Sequence, residues 1–194
     1  MLYPLVRAIA WVVLHLRCRV SSQGTENIPN TGGVVICGNH INWFDPVLIA
    51  VTTKRPIHFM GKKELFKNPL LKFFFKHINA FPIDRQATTD LKSLKTAISL
   101  LKGGAVLGIF AQGTRMKDSE VKSAKAGTAM FALKSGASIV PAGITGTYKW
   151  FSKVEVKYGK PITLEQYDSK KLRHEVLDEV TETVVESINE LLKQ

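Results

Sequence analysis

Apolar and polar positions along this chain follow two periods. Unbroken apolar runs recur at residues 34–37, 57–61, 80–83, 105–110 and 138–144. Runs of that length, bounded by glycine, proline or asparagine, predict buried strands. Val154 to Tyr158 alternates apolar with charged residues, and residues 21–30 read as a short strand and a loop. Between the runs the spacing turns helical. Leu91, Leu94, Ile98 and Leu101 share one face over residues 88–102, with Thr89 or Asp90 as cap and Gly103 as stop. Residues 46–51 predict a short helix, and residues 123–135 a small-residue helix closed by Gly136. A last helix from about Ser169 aligns Leu172, Val176, Val180, Val184, Ile188 and Leu191. Strands alternating with helices predict an α/β domain: a mixed, largely parallel central sheet flanked by helices. Pro141 within the 138–144 run predicts an edge strand or an irregular end.

Two further stretches are apolar and fringed with cations. Residues 2–16 are apolar apart from Arg7 and His15, and Arg17 and Arg19 follow. A helix from Pro4 to Leu16 is about 20 Å long, against about 30 Å of bilayer core. It lacks a leading basic region and a small-residue cleavage site. Residues 1–20 therefore predict a short N-terminal helix in the membrane interface, anchored by Trp11 and Tyr3. The alternative is a terminal helix packed on the single domain of residues 21–194. Residues 62–76 interleave Phe and Leu with lysines and divide at Asn68-Pro69. That pattern suits an anionic membrane surface, with a core helix as the competing reading. Single-stranded nucleic acid fits less well, because the phenylalanines are contiguous on a helix.

Composition narrows the classes. A chain of 194 residues with 45% hydrophobic content is one globular domain, neither disordered nor fibrous. Lysine and arginine outnumber acids 27 to 16, a net charge of +11, which favours anionic partners: nucleic acid, an anionic bilayer or a phosphorylated substrate. Cys18 and Cys37 make no disulfide framework, so a reducing cytosolic setting is expected.

The candidate chemistry begins where the 34–37 run ends. His40 sits at a strand end and Asp45 follows five residues later. On a continuous helix the two would stand about 140° apart. If they meet, the segment is a turn leading into a helix, which Pro46 suits. A carboxylate beside an imidazole fixes its tautomer and makes it a general base. The plainer alternative is a loop histidine and a helix cap. Arg85 and residues 111–115 also follow strand ends. In parallel sheets such ends share one crevice, where two arginines would grip a phosphate. No G-x-S-x-G elbow, P-loop or metal-ligand spacing occurs.

His40-x4-Asp45, preceded by Asn39, resembles the first motif of the glycerolipid acyltransferases, and most closely of the 1-acylglycerol-3-phosphate (lysophosphatidate) acyltransferases. Phe81-Pro82-Ile83-Asp84-Arg85 is similar to their second motif, Phe110 to Arg115 to their third, and Val140-Pro141 to their fourth; Lys125-x-Gly127 also recurs there. The blocks fall in family order over residues 34–144. The resemblance implies transfer of an acyl group from acyl-CoA or acyl carrier protein to the sn-2 hydroxyl of lysophosphatidate, with no cofactor beyond the co-substrate. His40 and Asp45 would be catalytic. Arg85, Gln112, Gly113, Thr114, Arg115 and Lys125 would bind phosphate and glycerol, and Val140 and Pro141 would belong to the acyl-donor region. Backbone N–H groups near residues 38–46 would supply an oxyanion site. The implied location is the cytoplasmic face of a membrane, peripheral or monotopic, without nucleic acid. Two departures stand out in the third motif, where the family has Pro and Glu and this chain has Ala111 and Gln112. Another lyso-lipid or glycerol-3-phosphate acceptor, or a non-catalytic lipid-binding module, remains as an alternative.

Overall fold

The computed structural model describes residues 2–84, 90–115, 121–167 and 173–194. Its strands are β1 (Arg19–Gln23), β2 (Val34–Gly38), β3 (Ile57–Lys62), β4 (Ala80–Ile83), β5 (Val106–Phe110), β6 (Ser138–Gly146) and β7 (Lys153–Tyr158). They form one sheet in the order β1-β7-β6-β2-β5-β3-β4. From β6 to β4 every neighbour is parallel. β7 runs antiparallel to β6, and β1 runs parallel to β7. The helices are α1 (Tyr3–Arg17), α2 (Asp45–Thr52), α3 (Pro69–His77), α4 (Leu91–Lys102), α5 (Gly127–Ser135) and α6 (His174–Lys193).

β2 lies inside the sheet, and its side chains are buried on both faces. Val34 and Ile36 join one core with Leu14 of α1 and with Leu48 and Ile49 of α2. Val35 and Cys37 join the other, with Leu101 of α4, Ala132 of α5 and Val184 of α6. Burial on both sides is why the strand reads as a continuous apolar run. It also pushes the Cys37 thiol up to about 11, so this cysteine is a packing residue. Asp90 caps α4 by accepting from Ser93 N at 3.0 Å. It also accepts from Asp84 N at 2.8 Å, tying the chain beyond β4 to the helix. These bonds, the one from Asp84 foremost, hold its carboxyl at about 2.

Three expectations change. The helix expected from residue 123 begins at Gly127, because Lys125 N donates to Ala111 O at 2.9 Å and the backbone there serves the sheet end instead. β6 is interior, not an edge, despite Pro141. The β6–β7 ladder starts at Ala142, and Gly159 N donates to Pro141 O at 2.9 Å, so proline sits just past the end of β7 where no ladder donor is needed. The last helix starts at His174, and the expected start near Ser169 and Leu172 lies outside the described residues.

Packing leaves no room for a side chain at Gly108 of β5. A Cβ there would collide with Phe59 Cε1, so glycine lets that ring lie across the strand. Gly108→Ala is expected to cost about 1–3 kcal/mol of stability through overpacking. A denaturant titration reads this, and an unchanged midpoint would show that Phe59 moves aside freely.

Candidate active site

The parallel strands β6, β2, β5, β3 and β4 all end on one side of the sheet, and the His40–Asp45 turn and residues 111–115 follow the ends of β2 and β5 there. Asn39 pins the end of β2 to β6. Its side chain accepts from Ile144 N at 2.7 Å and donates to Ile144 O at 2.9 Å. The chain then turns, and His40 Nδ1 comes to 2.7 Å from Asp45 Oδ2. Asp45 opens α2 and is fully buried. The same Oδ2 accepts from Ile41 N at 2.6 Å and Asn42 N at 2.7 Å. The Tyr148 hydroxyl donates to Oδ1 at 2.7 Å. Burial, and then the Asp45 carboxylate, push that hydroxyl well above the usual tyrosine range, so it stays a donor. A buried carboxylate thus has four donors, as its desolvation requires. With Nδ1 donating to Asp45, His40 Nε2 is left with the lone pair of a base. The His40 ring stacks on Phe110, with centroids 4.0 Å apart and planes at 15°. Phe59 stacks on Phe110 from further out at 6.5 Å. The Ile41 and Asn42 N–H groups are committed to Asp45, so those two do not serve the expected oxyanion site.

The third motif meets this turn directly. Ala111 N donates to Gly38 O at 2.9 Å. Gly113 takes φ +70°, which closes the turn after β5. The Lys125 stem covers it, since a Cβ on Gly113 would lie 3.3 Å from Lys125 Cε. Arg115 reaches back over Trp43, its guanidinium 4.2 Å from the ring centroid. Thr114 is exposed at the rim. Gln112 Oε1 is buried and meets no donor among the described residues.

The remaining motif residues are placed less directly. Arg85 lies outside the described residues. Asp84 before it pairs with Lys63 Nζ at 2.9 Å, and β4 ends on the same side as β2. Val140 and Pro141 are buried within β6, with Pro141 opposite Cys37 of β2. They lie inside the sheet, before the His40–Asp45 turn rather than on it. Sequence reasoning missed Tyr148, which is 103 positions from Asp45, and the Phe110 platform. No local spacing links such distant partners; the only hint is an aromatic residue just past the end of β6.

Large apolar side chains are left exposed on α1 and α3. Leu5, Ile9, Val12, Val13 and Leu16 form an exposed stripe on α1, with Trp11 beside it. The opposite face docks on the domain through Leu14 and Ala10. Tyr3, expected at the interface, turns inward, and its hydroxyl accepts from Ile57 N at 3.1 Å. α3 has no buried residue, which overturns the core-helix reading of residues 62–76. Leu70, Leu71, Phe73 and Phe74 are all exposed. Among the described residues, no helix is long and apolar enough to cross a membrane.

Comparison with known proteins agrees with this geometry. The acyltransferase family model matches residues 19–145. The chain is 38% identical over 187 residues to a 1-acyl-sn-glycerol-3-phosphate acyltransferase of Bacillus subtilis, covering 93% of this chain and 92% of that one. It is 30% identical over 206 residues to the enzyme of that name from Streptococcus pneumoniae, covering 100% of this chain and 75% of that one. The crystal structure of the 1-acyl-sn-glycerophosphate (LPA) acyltransferase PlsC from Thermotoga maritima matches with a TM-score of 0.75 at 26% identity, over 99% of this chain and 80% of that one. With the first and third motifs meeting at one sheet end, the chain belongs to the acyltransferase family, among the relatives named 1-acyl-sn-glycerol-3-phosphate acyltransferases.

Proposed function

We propose that the protein moves a fatty acyl group from acyl-CoA or acyl carrier protein to the sn-2 hydroxyl of 1-acylglycerol-3-phosphate, giving phosphatidate. The observation that carries this reading is the His40–Asp45 contact of 2.7 Å beside the third-motif turn. His40 Nε2 takes the hydroxyl proton as the oxygen attacks the thioester carbonyl. The tetrahedral intermediate collapses, the C–S bond breaks, and the imidazolium returns the proton to the thiolate. No acyl-enzyme is formed. Asp45 holds the ring and balances its charge during the step. Arg115 and Lys125, joined by Arg85, hold the phosphate and so bring the hydroxyl to the base.

Gln112 keeps an acceptor where the family motif has a carboxylate. An acceptor that is buried and meets no donor among the described residues is expected to gain one in the complex. Gln112→Glu, which keeps an acceptor, is expected to hold kcat/KM for lysophosphatidate within about threefold, whereas Gln112→Leu loses about tenfold or more. Equal kinetics for Gln112→Leu and the parent would show that the oxygen gains nothing in the complex.

In this reading the protein sits peripherally on an anionic membrane. The α1 stripe and the exposed α3 residues supply apolar contact, and a net charge of +11 supplies attraction. Thiol release from acyl-CoA or acyl carrier protein, measured across a panel of lyso-lipids and glycerol-3-phosphate, tests donor and acceptor together. Release without preference for lysophosphatidate would reassign the acceptor.

A further inference from the structure

The loop between β6 and β7, residues 147–152, joins Asp45 to a surface that none of the described residues covers. Tyr148, from this loop, is the donor to Asp45 Oδ1. Two positions on, Trp150 and Phe151 are 65% and 79% exposed. Phe151 holds φ +60°, a conformation that aromatic residues avoid. The loop is bonded to the end of α1. Phe151 N donates to Arg17 O at 2.8 Å, and Arg17 Nε donates to Tyr148 O at 2.7 Å. The Arg17 guanidinium lies 5.3 Å from the Trp150 ring centroid. Residues 15–19 and 147–153 contain Arg17, Arg19, Lys149 and Lys153 and no acid. A cavity of about 350 Å³ opens between this loop and the catalytic turn, walled in part by Arg17, Asn42, Thr147 and Lys149.

We propose that this loop is a bilayer contact that acts on the catalytic pair: Trp150 and Phe151 seat in the interface of an anionic membrane, a phosphodiester headgroup enters between Arg17 and Lys149, and the loop is thereby biased toward the state seen here, with Tyr148 on Asp45, against states in which the loop lifts away. The proposal rests on the acyltransfer reading above. Tryptophan and cations side by side suit the headgroup layer, and the absence of acids removes repulsion from anionic lipid. A ligand shifts a conformational equilibrium only as far as it prefers one state. The headgroup meets that condition, because it contacts Arg17 and Lys149 on the segments that place Tyr148. Tyr148 is therefore a positioning residue, acting on His40 through Asp45. The contact made by α1 and α3 gathers the protein on the membrane, whereas this loop sets kcat.

The test uses the full chain with a short-chain acyl-CoA and a short-chain lysophosphatidate that both stay dispersed. Rates are measured without vesicles, with phosphatidylcholine vesicles, and with vesicles half phosphatidylglycerol. Anionic vesicles are expected to raise the parent's kcat about tenfold, the worth of one charge-assisted hydrogen bond held rather than lost. Trp150→Ser/Phe151→Ser and, separately, Lys149→Glu keep the vesicle-free rate and lose the stimulation. Tyr148→Phe loses about tenfold in kcat on anionic vesicles with both KM values kept, beside a lower thermal midpoint from the donor that Asp45 Oδ1 loses. Stimulation persisting in the double variant and in Lys149→Glu would overturn the proposal, as would parental kcat in Tyr148→Phe. So would equal stimulation by neutral vesicles, or binding of a second copy of the chain in place of vesicles. A parent that transfers acyl groups without stimulation sinks this inference alone. A parent that transfers none under any condition sinks the acyltransfer reading.

Discussion

His40→Ala is expected to lower phosphatidate formation by about 10²- to 10⁴-fold, the range a general base supplies. The fold should survive the change. The His40 side chain is partly exposed and packs on the flat face of Phe110, outside both cores. The KM for lysophosphatidate should move little, because in the proposed reading the phosphate would be gripped by Arg115 and Lys125 on the neighbouring turn and not by His40. A loss in kcat at constant KM and unchanged stability is the signature of a group that acts in the transition state. Retention of activity within about tenfold would remove the imidazole from the proton transfer.

Asp45→Asn is expected to lower kcat by a comparable factor, about 10²- to 10⁴-fold, for a different reason. Asparagine can place its single oxygen where Oδ2 stands and still accept from His40, Ile41 N and Asn42 N. Its amide NH₂ then faces Tyr148, whose hydroxyl can rotate and accept. The turn keeps its shape, and only the negative charge behind the imidazole is lost. Asp45→Ala is harsher. It strands two half-buried backbone donors as well as the ring and the buried tyrosine, and is expected to cost about 3 kcal/mol or more in stability. Denaturant titration and kcat, measured on both variants, separate charge from scaffold. An Asp45→Asn protein with parental kcat would mean that the carboxylate only builds the turn.

Much of this was legible where local pattern and burial agree. The 34–37 run becomes β2 because both faces of that strand are covered, and Asp90 caps α4 because its side chain meets the free N–H groups of the first turn. The His40–Asp45 meeting depended on the chain turning after β2, and it does. Sheet order was not legible. Pro141 suggested an edge, yet β6 is interior because β7 ends at the one level where proline needs no partner. The onset of α5 was misplaced for a similar reason, since Lys125 spends its N–H on Ala111 across the fold. Tyr148 was invisible because nothing local links it to Asp45. The lysine-fringed residues of α3 fit either a core or a surface by composition, and only their exposure separates the two. Arg85, expected to hold phosphate, lies outside the described residues; β4, before it in the sequence, ends on the same side of the sheet as β2.

Direct transfer, with the hydroxyl attacking while His40 takes its proton, is tested most directly by rapid quench. The protein is mixed with acyl-labelled acyl-CoA, first alone and then with lysophosphatidate. Without acceptor, the expected result is no thiol above background and no label on the chain. With acceptor, one phosphatidate should form for each thiol released. Labelled protein, or equal thiol release in the absence of lysophosphatidate, would contradict it.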